Sequence, residues 1–266
     1  QKKSSKALYA DLTYELGELV TLRGGLRYTW DRGRLSDFKA QAIGIDGVPV
    51  ANTIPGDPGN FDATTALRFS KGSVTGKVGV DLKLSPDHLL YASYSRGYRG
   101  SSFNSQAFFA PDELTIAKPE TVDAFEIGAK TQFLDRRLTL NGAVFLYNYK
   151  NQQALSLIGV LQPLVNIPKS QIYGAELELV VRPLDVLTLR GGAGYLHTEI
   201  RRGNISGADL AGNRLPNAPT WSLNAAADLT ILKKGADELS LGINASYNTK
   251  QYFDLFNTQR IAQPGY

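Results

Sequence analysis

The chain has 266 residues, 42% of them hydrophobic, a formal net charge of +4 at pH 7, and neither cysteine nor methionine. That composition excludes disulfides and thiolate metal centres, and a disordered chain. No run of roughly 18 apolar residues occurs, which excludes a membrane-spanning helix but not a membrane-spanning strand of about 9–11 residues. The basic residues are scattered and cluster only in pairs such as Lys2-Lys3 and Arg136-Arg137, so the positive charge leaves no nucleic-acid footprint.

About ten strands are predicted, near 6–14, 19–30, 66–84, 88–98, 120–133, 137–149, 171–182, 186–199, 220–232 and 238–250. In 21–30 the apolar set Leu22, Leu26, Tyr28 and Trp30 opposes Thr21, Arg23, Arg27 and Thr29. In 76–84 Val78, Val80, Leu82 and Leu84 oppose Lys77, Asp81 and Lys83. Further on, Tyr173, Ala175, Leu177 and Leu179 oppose Glu176 and Glu178, and Trp221, Leu223, Leu229 and Ile231 oppose Ser222, Asn224 and Asp228. Successive strand side chains point to opposite faces, so each segment has one apolar and one polar face. The segments 66–73 and 88–98 alternate less cleanly.

The connections fall into two kinds that alternate strictly. Short ones carry turn residues, as in Ser85-Pro86-Asp87 and Pro183-Leu184-Asp185. Long ones cover 31–65, 99–119, 150–170 and 200–219. An up-and-down sheet then has every tight turn on one rim and every long loop on the other, as a transmembrane barrel does. A soluble sandwich also alternates, but its strands average about 5–6 residues. The predicted strands run to 12 or more, and Tyr28, Trp30, Tyr94, Tyr98, Tyr147, Tyr149 and Tyr195 stand near the long loops, where a membrane-interface girdle falls. The fold class is therefore all-β: a partial antiparallel up-and-down transmembrane β-barrel, open across about ten strands. The apolar parity is expected to face lipid and the polar parity a wet lumen.

Site chemistry is sparse. The two histidines, His88 and His197, fall near opposite rims, so no shared metal site is expected. No nucleophile elbow, phosphate loop or metal-helix motif occurs, so no catalytic residue, metal or cofactor is assigned. The best candidates for ligand binding lie on one outer loop. Arg99, Phe103, Asn104, Phe108 and Phe109 offer a cation, an amide and three aromatics over a wet vestibule.

Several stretches resemble the barrel of TonB-dependent outer-membrane receptors. These are Leu90-Tyr91-Ala92-Ser93-Tyr94-Ser95-Arg96-Gly97-Tyr98-Arg99, Lys118-Pro119-Glu120 with Glu126-Ile127-Gly128-Ala129-Lys130, Gly174-Ala175-Glu176-Leu177-Glu178, and Gly212-Asn213-Arg214-Leu215-Pro216-Asn217-Ala218-Pro219. The resemblance implies energy-coupled uptake of a scarce nutrient, a ferric siderophore first among them. A passive porin-like or autotransporter-like barrel is the alternative. The implied partners are outer-membrane lipid and lipopolysaccharide, the siderophore, and a TonB complex engaged through an N-terminal region. It further implies that residues 1–266 form one partial barrel domain, with a plug ahead of it and more strands after it. Gln263-Pro264-Gly265-Tyr266 is expected to start one of those strands.

Overall fold

The computed structural model describes residues 1–36, 38–40, 61–63, 67–104, 114–156, 163–235 and 237–266, with 38–40 and 61–63 as backbone only. Its strands are β1 (Lys2–Leu16), β2 (Val20–Leu35), β3 (Phe38–Ala40), β4 (Phe61–Ala63), β5 (Leu67–Ser85), β6 (His88–Arg99), β7 (Ser102–Asn104), β8 (Thr115–Ala117), β9 (Glu120–Phe133), β10 (Leu138–Leu155), β11 (Leu164–Leu184), β12 (Leu187–Arg202), β13 (Asn204–Ile205), β14 (Ala208–Asp209), β15 (Trp221–Lys234) and β16 (Asp237–Asn248). Ten of these make one sheet in the order β1-β2-β5-β6-β9-β10-β11-β12-β15-β16. The six short strands form three separate two-stranded ribbons. The two end strands do not pair with each other, so the sheet is open, as the sequence led us to expect.

Register explains how period-two patterning becomes two chemically different surfaces. Directly paired residues share a face, and one row crosses all ten strands: Leu16, Val20, Leu82, Leu90, Ala129, Gly142, Leu177, Ala193, Leu223 and Tyr247. The next row lies on the other face and reads Glu15, Thr21, Asp81, Tyr91, Gly128, Ala143, Glu176, Gly194, Ser222 and Asn248. Both rows begin beside the β1–β2 turn and finish at the opposite, long-loop end of β15 and β16. Such a stagger is the register shear of strands tilted within a barrel wall.

Among the described residues nothing covers the apolar face. Ile243 is 71% exposed, Leu241 61%, Leu177 49% and Leu229 38%. A soluble sandwich would bury this face as its core; an exposed apolar band of this extent is built for lipid. On the polar face, charges pair across strands: Arg23 with Asp81, Arg190 with Asp228, and Lys77 Nζ with Asp11 Oδ1 at 3.0 Å. That last pair passes over Gly25, where a Cβ would meet the Asp11 carboxylate at 2.5 Å. In the same way the Tyr91 ring lies over Gly128 and its hydroxyl donates to Glu126 Oε1 at 2.7 Å. The absence of a side chain at these two positions is what lets long polar groups reach across a strand.

Two connections differ from the sequence expectation. The β10–β11 ladder continues from Leu138↔Val181 to Leu155↔Leu164, so most of 150–170 is strand and the loop shrinks to 156–163. Its one irregularity lies opposite Pro168, which has no N–H to give the ladder; there Asn151 takes φ 53°. The other difference is at 249–266. The chain leaves β16, makes a 3-10 turn at Gln259–Ile261, and returns. Tyr266 then exchanges both backbone hydrogen bonds with Asn248, at 3.0 Å each, and Gln263 does so with Gln251. Residues 263–266 thus run back beside residues 248–251.

Candidate ligand-binding vestibule

Most of the buried apolar side chains lie at the long-loop end of the sheet, in two clusters. The first joins Leu35, Phe103 and Leu114, with Leu67, Phe69 and Ile116 packed against them. Phe103 sits in β7, opposite Ile116 of β8, and its ring centroid is 5.1 Å from that of Phe69. Gly33 at the end of β2 makes the space, since a Cβ there would come within 2.3 Å of Phe69 and 3.0 Å of Phe103.

Beside this cluster the polar face forms an open hollow of about 680 Å³, whose walls include Lys3, Arg27, Thr29, Asp31, Arg99 and Ser101. Lys3 Nζ donates to Ser102 Oγ at 3.4 Å and stands 5.9 Å from the Phe103 ring centroid. Arg27 Nε donates to Thr29 Oγ1 at 3.1 Å. The Tyr98 hydroxyl is buried beside the Asp31 carboxylate with no hydrogen bond of good geometry. Five cations in its lining, Lys3, Arg27, Arg32, Arg96 and Arg99, against the carboxylate of Asp31 give the hollow a positive potential, suited to an anionic guest. A buried amide fixes its floor: Gln153 Nε2 donates to Gly100 O at 2.9 Å and Lys118 O at 3.0 Å, and its backbone N–H donates to Glu120 Oε2 at 2.7 Å. Asn166 adds a reciprocal pair with the backbone of Lys118.

Of the residues expected to bind ligand, Arg99 is exposed and lines the hollow. Phe103 and Asn104 are buried at its base, 7% and 6% exposed. Phe108 and Phe109 lie outside the described residues. Sequence reasoning missed Lys3, Arg27 and Asp31 as wall residues. Their signal was strand parity, which put Arg27 and Thr29 on the polar face without saying which loop would stand over them.

The second cluster closes the other side of the rim. Ile167, Ile200, Ile205, Leu210, Leu215 and Leu255 form a small core drawn from three connections. Asn213 Nδ2 donates to Leu255 O at 2.9 Å, and Asn257 accepts from Arg214 N at 2.8 Å while donating to Arg214 O at 2.9 Å. Asn217 N donates to Tyr252 O at 2.8 Å. The histidines lie apart, as expected: His88 stacks near Phe133 at the turn end, and His197 on Tyr173 near the loop end.

A sheared meander with a bare apolar band, turns on one rim and folded loops on the other is a segment of an outer-membrane β-barrel. The family model for the TonB dependent receptor-like β-barrel matches residues 1–266, and the chain belongs to that family. Among its relatives, the probable TonB-dependent siderophore receptor PiuA of Acinetobacter baumannii is 29% identical over 223 residues, 76% of this chain and 28% of the relative. The probable TonB-dependent receptor BfrD of Bordetella pertussis is 31% identical over 182 residues, covering 66% of this chain and 23% of that protein. In fold, the chain superposes on the ferric yersiniabactin uptake receptor FyuA of Yersinia pestis with a TM-score of 0.76 at 22% identity, over 99% of this chain and 37% of that one. The chain thus spans about a quarter to two fifths of the length of the proteins it matches.

Proposed function

We propose that this barrel segment belongs to a receptor for TonB-coupled uptake of a ferric siderophore. The observation that carries the reading is the family match over the whole chain, joined by a siderophore-receptor relative at 29% identity. In this reading the hollow is one wall of the vestibule. Lys3, Arg27 and Arg99 attract an anionic metal chelate. Phe103 and Asn104, buried beneath, hold the loop base, and Phe108 and Phe109 are further ligand-binding candidates on the sequence alone. Energy coupling passes through segments of the whole protein that interact with TonB.

The test uses the full-length receptor in cells starved of iron. Uptake of labelled ferric siderophores is measured beside surface abundance, with and without a functional TonB. The expected results are uptake lost without TonB and, for Arg27→Ala/Arg99→Ala, affinity reduced about tenfold at unchanged abundance, on the scale of two charge-assisted contacts. Uptake that persists without TonB would instead mark a passive pore.

A further inference from the structure

A second hollow lies below the first on the polar face. It measures about 440 Å³, shares Arg27, Thr75 and Gly97 with the hollow above, and adds Asp11, Lys77 and Ser95. The register gives its depth. The row Tyr9–Arg27–Thr75 touches both hollows, and the next row toward the short turns is Asp11–Gly25–Lys77–Ser95. Below that comes Thr13–Arg23–Gly79–Ser93. Successive rows on one face stand two residues apart, roughly 7 Å along the strands.

Each row carries one cation: Arg27, then Lys77, then Arg23. Beside this ladder, Gly79 on β5 and Ser93, Ser95 and Gly97 on β6 present short side chains or none, which leaves a trough on the polar face. Within the second hollow three cations, Arg27, Lys77 and Arg96, face one carboxylate, that of Asp11. The Lys77–Asp11 pair is 61% and 54% exposed, so its ammonium can turn to a guest at little cost.

Further along the same face the sign reverses. On β9 and β11, Glu126, Glu176 and Glu178 face the lumen with Lys130 as the cation beside them. None of the three acids is in an ion pair among the described residues. The trough ends at Tyr91, whose ring lies over Gly128 and whose hydroxyl donates to Glu126. An anion leaving the upper hollow is therefore attracted down β2 and β5 and repelled from β9 and β11.

We propose that the second hollow is an inner station for the anionic guest, occupied after the rim hollow and entered along the ladder of Arg27, Lys77 and Arg23; this rests on the siderophore reading above. Arg27 belongs to both hollows, so a chelate can engage the lower one before it releases the upper one. Ser95, exposed and directly opposite Lys77, is the residue the guest must pass.

The test places single cysteines in the full-length receptor, with any cysteine outside 1–266 replaced by serine, since none occurs within this stretch. Ser95→Cys reports the inner hollow, and Ala143→Cys, on the same face between Gly128 and Glu176, reports the acidic wall. Each is labelled with anionic sulfonatoethyl and cationic trimethylammonioethyl methanethiosulfonate. The ratio of anionic to cationic labelling rate is expected to be about tenfold higher at Ser95→Cys than at Ala143→Cys, and to fall about threefold when Lys77→Gln is added. In cells, Ser95→Asp is expected to cut uptake of ferric catecholate and ferric carboxylate chelates about fivefold, while surface abundance and binding without TonB stay within about twofold. Ser95→Asn, the same size without the charge, should recover most of the uptake. Equal labelling ratios, an inner cysteine that neither reagent reaches, or normal uptake by Ser95→Asp would each overturn the station alone, as would binding that falls in step with uptake. Wild-type cells that take up none of the chelates would instead sink the siderophore reading, and the station with it.

Discussion

The two sides of the long-loop rim solve the same problem in opposite ways. Over β11, β12, β15 and β16 the connections fold onto one another, fill their interior with Ile200, Leu210 and Leu255, and spend their polar groups on internal hydrogen bonds. Over β1, β2, β5 and β6 the apolar cluster is smaller, and beside it stands an open hollow whose cations are only partly engaged. The lesson is a division of labour. A loop whose donors and acceptors are matched internally has little left for a guest, whereas one that leaves Arg27 and Arg99 facing open space keeps its binding capacity.

The largest effect should come from emptying the closed side. Leu210 is fully buried, and Leu210→Ala is expected to destabilise the cap by about 2–4 kcal/mol, transfer and cavity terms together. Hydrogen exchange at the amides of Gly212 and Asn213, which bond Ile200 O and Leu210 O, reports it. Unchanged protection would mean the cap is not a cooperative unit. Next comes Asn257→Ala, which removes both bonds to the Arg214 backbone and is expected to cost about 1–2 kcal/mol, read at the Arg214 amide.

Substitutions in the hollow should do the reverse. Arg27→Ala and Arg99→Ala are expected to change loop protection by less than about 0.5 kcal/mol, because exposed side chains contribute little to stability, while lowering ligand affinity. If they loosened the loops as much as Leu210→Ala, the proposed division would fail.

The smallest effect concerns pH. On the closed side, Tyr252 is held below the ordinary tyrosine value of 10.0, first by the hydrogen bond from Gln259 and then by the charge of Lys250. A depressed value favours the phenolate in the folded loop. Its contribution is complete only above 10.0, falls away as pH drops through the lowered value, and is nil at neutrality. Ultraviolet titration of the phenol should therefore move upward in Gln259→Ala, with a smaller rise in Lys250→Met.

Much of the sheet was legible in the sequence because its faces demand opposite chemistry. The alternation of Leu223, Leu229 and Ile231 with Ser222, Asn224 and Asp228 survives any one-residue error in a boundary, since a slip would turn every leucine to the lumen. The ends of the strands were not legible. Beyond the girdle both faces of a hairpin are wet, alternation loses its cause, and β10 and β11 run on through Gln152, Gln153 and Asn166 with no apolar period to announce it. The vestibule was half legible for a related reason. Arg99 could be picked out as a cation at a loop base, but burial of Phe103 depends on Gly33 and Phe69, which stand on strands 34 or more residues earlier in the chain. Nothing local to 99–116 encodes that pairing.

The turn between β9 and β10 has a mechanical consequence. Leu134, Asp135 and Arg136 all take positive φ, at 54°, 52° and 65°, an unfavourable run for side-chain-bearing residues. The run aims Arg136 at Asp87 in the turn on one side, while Arg137 reaches Asp185 in the turn on the other. Each link is exposed and weak alone, yet together they tie three consecutive turns sideways, across the direction in which hairpins would splay. At the long-loop rim the lateral links beside the hollow are hydrogen bonds instead, from Lys3 to Ser102 and from Gln153 to Gly100 and Lys118. Hairpins fastened in this way share a load: strain applied to one turn is passed to the two beside it.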